Sequence, residues 1–185
     1  MVTPSVREQF LVLSVLGKDP MDLAHLLCRT SLESRCVMDM ARLTRHGEYS
    51  ALVLQVSGSW DALARMESAV TSLAKKHGLR VNLTRSSPLD DRPMALPYVA
   101  YVSAVYRPDI VSELCQFFAS HRIELEQMNC DTYLAPQTGG LMLNATLTLI
   151  LPAGIQINWL RDQFLDFADA LNLDALIEPW RPQTP

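Results

Sequence analysis

The chain has 185 residues, 49% of them hydrophobic, with 16 Lys and Arg against 20 Asp and Glu and a net charge of −4. That is enough apolar material for one ordinary domain or two small ones, and the lack of any cluster of about five or six basic residues argues against direct nucleic-acid binding. No run reaches the roughly 18 apolar residues needed to cross a bilayer, so no membrane partner is expected.

Arg7 and Glu8 precede an apolar run at 10–16 that is too short for a signal-peptide core, and a cytoplasmic protein is therefore expected. That run, Phe10-Leu11-Val12-Leu13-Ser14-Val15-Leu16, reads as a central strand. Gly17-Lys18-Asp19-Pro20 breaks it, and Pro fits the first turn of a helix because its missing N–H has no partner there anyway. Leu23, Leu26, Leu27 and Thr30 then recur at helical spacing. Residues 37–45 and 49–57 flank His46-Gly47-Glu48, a connection that suits a hairpin. Ser59 is a good N-cap for a second helix striped by Leu63, Met66, Val70 and Leu73, and His77-Gly78 closes it. A last strand follows over 80–84, with Val81 and Leu83 inward.

Residues 86–97 hold three prolines and two aspartates without periodicity. The division expected is a first domain over 1–86, a linker over 87–97 and a second domain over 98–185. The second domain opens with a strand over 98–106 and a helix from 108 to about 120 with Val111, Leu114 and Phe118 on one side. Leu141, Leu143, Ala145, Leu147, Leu149 and Leu151 alternate with Met142, Asn144, Thr146, Thr148 and Ile150, which predicts a strand with one buried and one partly polar face. Leu160, Phe164, Phe167 and Leu171 stripe a final helix, and a short strand at 175–177 ends the pattern.

A constant offset carries Pro20-Met21-Asp22-Leu23-Ala24-His25-Leu26 onto Pro108-Asp109-Ile110-Val111-Ser112-Glu113-Leu114, and Val37-Met38-Asp39-Met40 onto Leu125-Glu126-Gln127-Met128. A period of about 90 residues is a domain duplication, since each copy can hold its own core. The fold class predicted is α+β: two ferredoxin-like βαββαβ domains in tandem, each an antiparallel sheet with both helices on one face. The exposed edges of such sheets favour pairing, either side by side within one chain or through a homo-oligomer.

Little else in the sequence suggests reaction chemistry. His25, His46, His77 and His121 fall in separate elements without metal-ligand spacing, and His77 and His121 read as helix C-terminal caps. Cys28, Cys36, Cys115 and Cys130 form no CxxC pair and read as reduced, mostly buried thiols. Asp90-Asp91 reads as a solvated turn, and Ser57-Gly58-Ser59 as capping rather than a nucleophile elbow. Trp60, Trp159 and Trp180 are expected to be largely buried, with an interface as the alternative. An RNA-recognition module shares the element order, but segments such as 51–54 and 143–146 offer no aromatic platform. No metal or cofactor is expected.

The loops entering the first helix of each copy are the remaining candidates for a site. Gly17, Lys18, Asp19, Pro20 and Met21, with Tyr106, Arg107, Pro108 and Asp109, combine free helix-start N–H groups with side chains suited to a zwitterion. Arg107 would hold a carboxylate and Asp19 or Asp109 an amino group. The competing reading is that these loops only cap their helices.

The strand Phe10-Leu11-Val12-Leu13-Ser14-Val15-Leu16-Gly17, the helix entry Ser57-Gly58-Ser59-Trp60-Asp61-Ala62-Leu63 and the tandem layout resemble the tandem ACT-domain proteins, and within them the branch that represses glycine cleavage genes. The resemblance implies a regulator without catalysis, one that contacts a LysR-type DNA-binding activator and takes glycine or another small amino acid as its signal. An ACT protein that senses an amino acid and regulates a metabolic enzyme in trans is the alternative, with a small enzyme of unrecognised type as the third reading. The usual ACT loop is Asp-Arg-Pro-Gly followed by an aliphatic pair. Met21 and Asp109 stand at its Gly position here, and a side chain there narrows the approach of a ligand.

Overall fold

Alternation along β1 (Gln9–Gly17) sends Leu11, Leu13 and Val15 into a core and turns Val12, Ser14 and Leu16 to the opposite face. The computed structural model describes residues 9–87 and 96–181, and the chain divides into two compact units, 1–90 and 91–185. In the first unit β1 is followed by α1 (Pro20–Ser34), β2 (Val37–His46), β3 (Tyr49–Gly58), α2 (Trp60–His77) and β4 (Arg80–Ser86). The strands form one antiparallel sheet in the order β2-β3-β1-β4, with β1 central as its apolar sequence predicts. Leu23 and Leu27 of α1 and Leu63, Met66 and Val70 of α2 join Leu52, Leu54 and Val56 of β3 in the core, so both helices cover the same face. Each fully buried Leu contributes about 1.5–3 kcal/mol.

The second unit repeats this plan with β5 (Leu96–Val105), α3 (Ile110–Ser120), β6 (Glu124–Leu134), β7 (Leu141–Leu151), α4 (Ile157–Ala170) and β8 (Asp174–Pro179). Its sheet runs β6-β7-β5-β8, again antiparallel throughout. The alternation read from residues 141–151 is what β7 displays: Leu143, Ala145, Leu147, Leu149 and Leu151 are buried. Phe118 of α3 and Phe164 of α4 meet inside this core, with ring centroids 5.3 Å apart.

One local device shapes both sheets. The outer strands β2 and β6 each carry a bulge, between Met38 and Met40 in one and between Leu125 and Gln127 in the other. An extra residue in a strand flips every later side chain to the other face. In β6 it sets Gln127 opposite Thr148 and Asn129 opposite Thr146, on the face away from the helices. Sequence periodicity alone does not reveal this shift.

Several expectations are corrected. The third helix starts at Ile110 rather than at Pro108, because Asp109 gives its carboxylate to Arg107 and not to the helix N–H groups. None of the four cysteines is fully buried: Cys28 lies on the solvent side of α1 and Cys130 on an outer strand, and all four are free. The tryptophans are exposed as well, Trp60 at 64% of its surface, since it stands in the first turn of α2 outside the buried stripe. The linker expected over 87–97 lies mostly outside the described residues, as does Asp90-Asp91, and Leu96 and Pro97 already belong to β5. No helix among the described residues is long and apolar enough to cross a membrane.

Candidate functional site

The loop from β1 into α1 is held by its own groups. Asp19 is the N-cap, and its Oδ1 accepts from the backbone N–H of Met21 and of Asp22, both at 2.9 Å. Two of the orphan donors of the helix start are thereby satisfied. Pro20 takes the first helical position as predicted. Lys18 reaches across to Glu48, Nζ to Oε2 at 3.1 Å, and its ammonium stands 5.7 Å from the Tyr49 ring centroid. Gly17 serves packing: a Cβ there would approach Leu79 Cδ2 to 2.9 Å. Met21 is 78% exposed and projects into solvent. Ser50, paired with Gly17 across β1 and β3, is wholly buried with an Oγ that has no hydrogen-bond partner among the described residues.

The loop from β5 into α3 closes differently. Arg107 donates to Asp109 through two bonds, Nε to Oδ1 at 3.1 Å and a terminal nitrogen to Oδ2 at 2.9 Å. Its other terminal nitrogen donates to the Leu171 carbonyl at 3.4 Å, the C-cap of α4. The guanidinium holds the Asp109 carboxyl below the usual carboxylate range, chiefly through that hydrogen bond. Tyr106 is anchored by its backbone N–H to the Leu141 carbonyl at 2.9 Å, and Pro108 with Asp109 forms the turn before the helix. The structure thus brings Arg107 and Asp109 together, but as partners of each other. Among the candidate side chains Lys18, Asp19, Arg107 and Asp109 all have their charge engaged within the protein.

Elsewhere the polar groups are structural. Ser59 Oγ accepts from the Ala62 N–H at 3.3 Å as an N-cap, whereas Ser57 Oγ donates across the sheet to Asp39 at 3.0 Å. His121 stands at the end of α3 with Nδ1 2.7 Å from the Phe117 carbonyl, in keeping with a capping role. His77 Nδ1 lies 4.0 Å from Asp22 Oδ2. Burial pushes the Cys36 and Cys130 thiols up, which opposes thiolate formation. Among the described residues no three His, Cys, Asp or Glu side chains gather as a metal site.

A group of residues that the sequence reading did not single out lies on the open face of the second sheet. Pairing aligns Gln127, Thr148, Val99 and Glu178 on one rung across the four strands, and Asn129, Thr146, Tyr101 and Leu176 on the next. Most of these residues, with Trp180 and Arg181 just beyond β8, line a pocket of about 560 Å³. The signal available in the sequence was the polar half of the β7 alternation, Asn144, Thr146 and Thr148. Its continuation into β6 was hidden by the bulge.

Comparison with known proteins follows the same division of the chain. Residues 9–84 match the model of the ACT domain. The chain is 21% identical over 170 residues to the glycine cleavage system transcriptional repressor of Escherichia coli (strain K12), covering 92% of this chain and 90% of that protein, and equally to its Shigella flexneri counterpart. Among solved structures, a candidate glycine cleavage system transcriptional repressor superposes with a TM-score of 0.73 at 20% identity, over 95% of this chain and 99% of the other. A protein of unknown function from Galdieria sulphuraria superposes equally well, at 18% identity over 94% and 99%.

Proposed function

This chain is a tandem ACT-fold protein, with an ACT domain over residues 9–84 and the same topology repeated over 96–179, and from that premise we propose that it regulates by binding rather than by catalysis. More narrowly, it represses genes of the glycine cleavage system by contacting a LysR-type DNA-binding activator, and a small amino acid such as glycine relieves the contact. The observation that carries this reading is the tandem layout, shared almost end to end with the repressors. The net charge of −4 fits indirect control, because a protein that neutralised DNA phosphates itself would need a basic surface. Among the described residues a hydroxyl meets an imidazole in two places, Thr44 with His46 at 2.9 Å and Ser120 with His121 at 3.2 Å, but both pairs lie exposed at the surface rather than in the enclosed site that covalent or general-base chemistry needs.

A ligand carboxylate arriving at Arg107 would have to displace Asp109, so the loops, with their charges matched internally, hold no free group for the signal.

The test is complex formation between the purified chain and a LysR-type activator of glycine cleavage genes, followed by gel filtration and calorimetry with and without glycine. A complex that loosens at least severalfold with glycine supports the repressor reading. Failure to form any complex overturns it, and a complex with a metabolic enzyme whose activity then follows an amino acid favours the alternative regulator in trans.

A further inference from the structure

The pocket on the open face of the second sheet is lined by polar groups with unspent bonding capacity. Among the described residues, the side chains of Gln127, Asn129, Thr146, Thr148, Glu178 and Arg181 make no hydrogen bond or ion pair, although all six line that pocket. This contrasts with the strand-to-helix loops, where the charges are matched internally. Glu178 and Arg181 do not pair with each other, so one carboxylate and one guanidinium face the same space. Among the described residues the pocket's charge balance is therefore neutral. A lone anion would face Glu178 and a lone cation would face Arg181, whereas a molecule carrying both signs satisfies each. The neutral hydroxyls and amides can donate or accept and suit the remaining polar atoms of such a molecule.

The first sheet lacks this arrangement. Its matching rungs read Met40, Gln55, Val12, Thr84 and Arg42, Val53, Ser14, Asn82, with no acid among them. The volume of about 560 Å³ lies within the range of small-molecule pockets and leaves room for water beside a small ligand.

We propose that the open face of the second sheet binds a free α-amino acid, Arg181 taking its carboxylate and Glu178 its ammonium, with Thr146, Thr148, Gln127 and Asn129 completing the hydrogen bonds. The site thus lies on the strands of one domain, apart from the loops that open its helices. The proposal rests on the regulatory reading above for the role of the ligand, and on the pocket for its place and class.

Calorimetry of the full chain tests it, with glycine, alanine and serine as probes and with glycinamide and acetate as controls that each lack one charge. At least one amino acid binds, and the two controls bind about tenfold or more weakly, the usual effect of losing a charged hydrogen bond. Glu178→Gln and Arg181→Gln each weaken the amino acid by a similar factor while melting as the parent does, and Arg107→Ala leaves the affinity unchanged. Unaltered binding in both sheet variants, with loss in Arg107→Ala, returns the ligand to the loop: the sheet proposal then fails and amino-acid sensing survives. Absence of binding by any of the three amino acids overturns the sheet proposal and the glycine signal together, while the activator contact is judged separately by complex formation.

Discussion

Glu67 in α2 grips Arg85 in β4 through two hydrogen bonds, 2.6 and 2.9 Å, and Arg85 also donates to Gln9 Oε1 at 3.2 Å. The guanidinium holds the Glu67 carboxyl below its ordinary range, with the hydrogen bond the largest cause. Because the folded-state value is depressed, the pair's contribution is fully present above the unfolded value of about 4.3 and is lost as pH falls through the lower folded-state value. About a third of each side chain is open to solvent, so screening limits the bidentate pair to about 1 kcal/mol. Glu67→Gln is expected to lower stability by about that amount at pH 7 and to approach the parent as pH falls below the ordinary carboxylate range, with the gap shrinking in high salt. Urea titrations across that pH range measure it, and a gap that widens toward acid contradicts the assignment. Arg107 and Asp109 have the same chemistry on an open surface, where its use is to set the turn before α3 rather than to add stability.

At the scale of elements, the ends of α1 and α2 differ in a way that stability should register. Gly78 closes α2 at φ 66°, but α1 is closed by Arg35 at φ 61° and ψ 38°, a left-handed conformation that strains any residue with a Cβ. The exposed Arg35 side chain makes no hydrogen bond among the described residues, so Arg35→Gly is expected to stabilise by about 0.5–1 kcal/mol, read as a rise in Tm of several degrees. The order of elements was legible because β1, β7 and the helix stripes bury one face each and so leave periodic sequences. The outer strands were legible as strands but not in register: Leu125-Glu126-Gln127-Met128-Asn129 contains no break that betrays a bulge. The site was legible only as residue types. Asp19 and Arg107 have the right chemistry for a zwitterion, but capping and side-chain pairing, which consume them, depend on geometry that spacing does not carry. Trp60 was misplaced for a related reason: composition says that Trp is usually buried, whereas the helix stripe leaves it outside.

At the scale of the whole chain, duplication gives each unit its own core. Leu13, Leu54 and Met66 cluster in one, and Leu147, Phe118 and Phe164 in the other. Domains of this size bury a modest share of their surface, so each is expected to be stable by only a few kcal/mol. Residues 1–90 and 91–185, produced separately, should each melt cooperatively by circular dichroism, with urea m-values well below that of the full chain. Non-cooperative melting of either piece would show that one core needs the other. The copies have also diverged, since only the second sheet's open face joins Glu178 and Arg181 to four neutral polar groups. If the amino-acid site belongs to that face alone, ligand should raise the Tm of 91–185 and leave that of 1–90 unmoved. At a ligand concentration of about 100 Kd the linkage contributes about 2.7 kcal/mol, which for a domain of this size is a shift of roughly 10 °C or more. An equal shift in both pieces contradicts a site confined to the second sheet, and a shift in 1–90 alone assigns sensing to the first domain.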